Sequence, residues 1–177
     1  MKQGRILFLN GLTSSGKTTL VEALQSRREV YFYVLANDLF EQMVGEDYLR
    51  EDYWKHLAPV ILLMYRMAAM MSDLGHHVLI DGILVERPEI APHYEQLMAI
   101  IGDRPLDVID VSCPVEVCEA RNAARPDRWV GQSAEQAALM NKDIRYALRV
   151  ETDKCSPEEC AEQILHGLFP EKMHSID

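Results

Sequence analysis

Eight consecutive residues, Gly11-Leu12-Thr13-Ser14-Ser15-Gly16-Lys17-Thr18, fit the pattern G-x-x-x-x-G-K-[ST]. Each position has a physical use. Glycines at 11 and 16 permit backbone conformations and a close approach that a Cβ would forbid. The loop amides and the N-terminus of a following helix converge on one point, where they can bind the phosphates of a nucleotide. Lys17 brings a positive charge to the β- and γ-phosphates, and the Thr18 hydroxyl can serve Mg²⁺. The whole run from Gly11 to Thr18, extended by Thr19 and joined from farther along the chain by Arg121, is the expected nucleotide-binding set. A glycine-rich turn without function is the competing reading, and the flanking elements described below argue against it.

Two carboxylates can complete this chemistry. Asp81 ends the apolar run Val78-Leu79-Ile80-Asp81, an arrangement that can hold Mg²⁺ or its waters beside a phosphate loop. Its alternative is an Asp in the turn Asp81-Gly82. Asp38 follows a second apolar run, 21 positions after Lys17. Ligands of open α/β sheets bind outside the carboxyl ends of the strands, so Asp38 should face the phosphates and can accept the proton of an acceptor hydroxyl. Its alternative is to cap a helix over 39–44. A dinucleotide-binding reading fails because Gly11-Leu12-Thr13 lacks the second glycine of G-x-G-x-x-G.

Between Arg121 and Arg149 lie six basic residues and three acidic ones. Arg121, Arg125 and Arg128 follow helical spacing and run into Pro126 and Gly131, which predicts an arginine-bearing lid over about 121–133. Guanidinium groups there can stabilise charge on a transferring phosphoryl group, or simply form a solvated helix face. Asn141-Lys142-Asp143 places its Asp one residue early for the guanine-reading N-K-x-D, so adenine is the expected base.

The elements that must position these groups alternate along the chain. Apolar runs at 5–10, 30–36, 78–81, 106–112 and 146–152 read as buried strands. Helical spacing is expected at 18–26, 53–74, 89–101, 115–124, 134–141 and 157–168. Pro59 should either start the long helix or kink it, and Gly75 should end it. Strands separated by helices imply a parallel sheet covered on both faces, here as one domain over 1–177. The methionines at 64, 67, 70 and 71 are expected in the core. Cys113/Cys118 and Cys155/Cys160 share one spacing, which suits four zinc ligands or, lacking glycine turns, four buried apolar residues.

Composition excludes several classes. The chain has 177 residues and a net charge of −10, against a general nucleic-acid binder. No apolar run approaches the ~18 residues of a membrane span, and the N-terminal strand leaves no room for a signal peptide. A soluble, cytoplasmic protein is expected.

The order of these motifs resembles the chloramphenicol phosphotransferase-like family of small P-loop kinases. The residues that carry the likeness are Phe8-Leu9-Asn10-Gly11 leading into Ser14-Ser15-Gly16-Lys17, then Asp38, then Arg121-Asn122-Ala123-Ala124-Arg125-Pro126-Asp127-Arg128. The resemblance implies a P-loop NTPase fold with a five-stranded parallel sheet ordered 2-3-1-4-5, helices on both faces and the arginine lid. It implies Asp38 as general base, Lys17, Arg125 and Arg128 at the phosphate site, ATP and Mg²⁺ as cofactors, and transfer to a hydroxyl of a small molecule such as chloramphenicol. Leu12, Asn37 and Pro59 depart from the family pattern and leave the acceptor open. Glu86-Arg87 resembles part of a deoxynucleoside-kinase motif, so nucleoside or nucleotide phosphorylation is a second reading. A nucleotide-binding regulator without transfer is a third.

Overall fold

The computed structural model describes residues 2–87, 91–124 and 130–173. Five parallel strands form one sheet in the order β2-β3-β1-β4-β5, as the family resemblance implied: β1 (Ile6–Asn10), β2 (Phe32–Ala36), β3 (His77–Gly82), β4 (Leu106–Ser112) and β5 (Leu148–Glu151). β1 lies at the centre, with Ile6 opposite Val78 on one side and Leu106 on the other.

Side-chain alternation along β1 explains why its sequence is apolar throughout. Ile6 and Phe8 enter one core with the long helix α4 (Tyr53–Asp73) and α5 (His93–Ile101). Leu7 and Leu9 enter the other, with α1 (Lys17–Ser26) and α8 (Pro157–Leu168). A strand buried on both faces has no polar positions to alternate with. The short helices α2 (Asn37–Glu41) and α3 (Glu46–Glu51) pack on α4, and α9 (Pro170–Met173) follows α8. On the remaining side, α6 (Val115–Ala123) and α7 (Gln132–Leu139) pack on each other.

Helix ends follow local chemistry. The Asp52 side chain accepts the Lys55 N–H and starts α4 well before Pro59, so the helix neither begins at the proline nor stops there. Pro59 withholds one N–H from the Lys55 carbonyl, and both residues are exposed, where water can take its place. α4 ends in a Schellman turn through Gly75, with His76 N–H on the Met71 carbonyl and Gly75 N–H on that of Ser72. Only Met64 of the methionine group is fully buried; Met71 packs at the core edge, while Met67 and Met70 are exposed. Among the described residues no helix is long and apolar enough to cross a membrane.

The cysteine pairs have a helix-start explanation. Cys113 and Cys155 each directly precede an N-cap residue, Pro114 and Ser156, and Cys118 and Cys160 each lie in the fourth position after it. These are the N′ and N4 positions whose apolar contact staples a helix entry. All four are free thiols and they sit in two separate clusters. Burial pushes the Cys160 thiol up to about 11 and that of Cys118 up to about 12.

Candidate active site

The loop between β1 and α1 must turn sharply, and two glycines make that turn feasible. Gly16 has φ +95°, a left-handed conformation that disfavours a Cβ. A Cβ at Gly11 would lie 2.6 Å from the Val111 carbonyl oxygen. Ser14 also adopts positive φ (56°), the sole non-glycine to do so among the described residues. It is held there on both sides: its Oγ donates to Asn122 Oδ1 (2.6 Å), and its carbonyl accepts from Arg121 Nη1 (3.2 Å).

The loop residues divide by direction. Gly11, Thr13, Ser14, Gly16, Lys17, Thr18 and Thr19 line a cavity of about 410 Å³. The Leu12 side chain turns away and packs with Cys113 and Cys118, so its part in a nucleotide site is confined to the backbone. Ser15 is fully buried, and its carbonyl accepts the Thr152 hydroxyl at 2.5 Å. Lys17 Nζ donates to the carbonyls of Gly11 and Leu12, both at 2.8 Å, which places the ammonium over the first part of the loop.

Asp81, on β3, and Asp38, in α2 directly after β2, reach the same cavity. Asp81 lies opposite Leu9 in the sheet, and its Oδ2 accepts the Thr18 hydroxyl at 3.0 Å. Asp38 is the second residue of α2 and is exposed at the cavity rim. The cap position of α2 belongs to Ala36, without a side-chain cap bond, which overturns the expectation that Asp38 caps this helix. Among the described residues no three His, Cys, Asp or Glu side chains gather as a metal site. The hydroxyl–carboxylate pair of Thr18 and Asp81 fits a hard cation that takes its other ligands from phosphate and water, the habit of Mg²⁺.

Arg121 lines the cavity from the last turn of α6 and also donates to the Thr152 carbonyl (3.1 Å). It thus braces the loop from the helix that runs into the expected lid. Arg125 and Arg128 lie outside the described residues, as does the middle of that segment.

Sequence reasoning missed the polar contacts that lock α6 and α7 onto the loop. Asn122, 2% exposed, donates to Ser133 Oγ, which donates to the Thr13 carbonyl. Thr13 N–H donates to Gln136 Oε1 at 2.7 Å. Glu119 accepts the N–H groups of Gly131, Ser133 and Ala134, capping α7 from outside. The Gly131 contact does most to hold its carboxyl below the usual range. Behind the loop, fully buried Asn10 accepts the Leu84 N–H and donates to the Tyr146 hydroxyl. That joins the segment after β3 to the one before β5, where Val85 and Met140 also pair. Arg87 does not turn to the cavity; it stacks on Trp54 at 4.4 Å and bridges to Glu135 of α7. Only Asn10 carried a signal, as a polar residue ending an apolar strand.

A P-loop kinase fold is thereby defined, and comparison places the chain within it. The chain belongs to the chloramphenicol phosphotransferase-like family, whose sequence model matches residues 4–168. It is similar to an adenylyl-sulfate kinase from Clostridium acetobutylicum, 25% identical over 99% of this chain and 86% of that one. A second, from Shewanella amazonensis, is 29% identical over 68% of this chain, which spans 59% of that protein's length. Among solved structures it resembles an APS kinase from Mycobacterium tuberculosis in complex with AMPPNP and APS (TM-score 0.67, 20% identity, 95% and 99% of the two chains). A sugar kinase from Janibacter is likewise similar in fold (TM-score 0.70, 19% identity, 96% and 98%).

Proposed function

We propose that this chain is an ATP- and Mg²⁺-dependent kinase that transfers the γ-phosphoryl group to a hydroxyl of a small molecule, with residues 1–177 acting as one catalytic unit in the cytoplasm. The observation that carries the reading is the shared cavity of Lys17, Thr18, Asp81 and Asp38. Loop amides bind phosphate oxygens, and Lys17, held over the first part of the loop, serves the β- and γ-phosphates. Thr18 and Asp81 would hold Mg²⁺, which neutralises phosphate charge when bound. Asp38 accepts the proton of the acceptor hydroxyl. Arg125 and Arg128 are assigned to the phosphate site from the family resemblance, and Arg121 steadies the loop.

The adenylyl-sulfate kinases among the relatives favour one further reading, an acceptor that is itself a nucleotide. Incubation with γ-labelled ATP and a panel of chloramphenicol, gluconate, nucleosides and adenylyl sulfate separates the two by the labelled product. The Lys17→Ala variant should transfer no label while its apo-protein melts as the wild type does, because the ammonium serves the loop rather than a core. Full ATP-dependent transfer by Lys17→Ala would refute the kinase reading. Nucleotide binding by the wild type without transfer to any acceptor would favour a regulator.

A further inference from the structure

A carboxamide accepts hydrogen bonds at one end and donates two at the other. At Gln136 the accepting end is fixed by chemistry: a main-chain N–H can only donate, so the atom 2.7 Å from Thr13 N is the oxygen. The amino group Nε2 is left as the free end of the group. Among the described residues it has no protein acceptor, and Gln136 lines the cavity with Lys17, Asp38 and Asp81.

Its place along a bound triphosphate follows from Lys17. In a loop of this type the lysine serves the β- and γ-phosphates. Lys17 Nζ lies at the carbonyls of Gly11 and Leu12, and Thr13, which holds Gln136, is the next residue. Gly16, at the opposite end of the loop, is backed instead by Thr152. Gln136 therefore stands at the terminal-phosphate end, on a helix fixed by Glu119, by Ser133 on the Thr13 carbonyl and by Arg87 on Glu135.

We infer that Gln136 is a further catalytic residue, one that donates from Nε2 to a non-bridging oxygen of the γ-phosphoryl group while its Oε1 stays on Thr13. The inference rests on the kinase reading. In the transfer, the bond from the acceptor oxygen to the γ-phosphorus forms as the bond to the ADP oxygen breaks, and the acceptor proton passes to Asp38. Gln136 gains and loses no proton; it stabilises charge spread over the equatorial oxygens.

The competing role is a strut that merely braces α7 on the loop. Gln136→Glu keeps an acceptor for the Thr13 N–H and removes the donor but adds a negative charge, so the uncharged Gln136→Met is measured beside it. Wild type and both variants are titrated with MgATP and MgADP by calorimetry and melted without nucleotide. ATP affinity should fall by about tenfold or more while ADP affinity stays near wild type, the loss expected for one hydrogen bond to a charged group. With an active acceptor, kcat should fall by about 10²–10³-fold. Should Gln136→Glu not fold, Gln136→Met, similar in size and without a donor, still asks the question through the ratio of ATP to ADP affinity. An unchanged ratio in Gln136→Met overturns the inference and leaves the kinase reading standing. A wild-type protein that binds neither nucleotide overturns both.

Discussion

Replacing Asp38 by Asn keeps the shape of the side chain and removes its capacity to accept a proton. Three magnitudes follow from where Asp38 sits. As the second residue of the five-residue α2, it loses a charge–dipole attraction of about 0.3–1 kcal/mol. That corresponds to a fall in Tm of no more than about 4 °C for a chain of this size. Two strand spacings separate β2 from β1, which leads into the phosphate loop, or about 10 Å. Across that distance in water, removing one negative charge relieves about 0.4 kcal/mol of repulsion toward each loop-bound phosphate charge, and more toward the γ-phosphate beside the acceptor, so ATP should bind slightly more tightly. Turnover should respond on another scale, since loss of a general base typically costs about 10²–10⁴-fold. Steady-state kinetics with an active acceptor, nucleotide titration and thermal melting of one preparation supply all three values. Near-normal kcat in Asp38→Asn would refute the assignment of the base, and a large loss of ATP affinity would show that the carboxylate serves the nucleotide instead.

Other predictions concern the scaffold of the site. His93 is 3% exposed, and burial outweighs a weak main-chain contact at Ile83 to push its pKa down to about 4. The unfolded chain then takes up the proton first, so stability is full above about pH 6.5 and declines by up to about 3 kcal/mol as pH falls toward 4. His93→Phe should lose that share of the pH dependence in urea titrations at pH 7 and 4.5; an unaltered slope would exclude a neutral buried imidazole. Asn10→Ala strands the Leu84 N–H and the Tyr146 hydroxyl, and should cost about 2–4 kcal/mol by chemical denaturation; a loss below about 0.5 kcal/mol would mean that water replaces the side chain. The cysteine staples predict purified protein without stoichiometric zinc and a Tm indifferent to chelators, and one zinc per chain would contradict them.

Local chemistry made most of the framework legible. The fourth strand and the last helix fall where the apolar pattern puts them, at Leu106–Ser112 and Pro157–Leu168. Strand five is shorter, Leu148–Glu151, because pairing with β4 and not hydrophobicity ends it. The charged helix Glu46–Glu51 went unseen since it buries none of its residues and so has no apolar stripe to reveal it. The lid stems were legible as helices, but not their attachment. Asn122, Ser133 and Gln136 act on residues more than 100 positions away, and a polar contact at that range leaves no period in the sequence. The cysteine spacing was visible, yet its meaning depended on knowing which residue caps each helix.

The central place of β1 has a consequence for how the chain reaches this state. Ile6-Leu7-Phe8-Leu9 is wholly enclosed, yet its neighbours are residues 78–81 and 106–109, so the sheet's middle strand waits for partners that come much later in the chain. Long-range parallel pairing of this kind is slow, because loop closure costs entropy before any contact rewards it. Until then an apolar tetrapeptide is open to intermolecular association. It also means that the phosphate loop becomes competent only once β3 and β4 flank β1: nucleotide capture would report that pairing, and ATP added during refolding should deepen the native well without hastening the rate-limiting step.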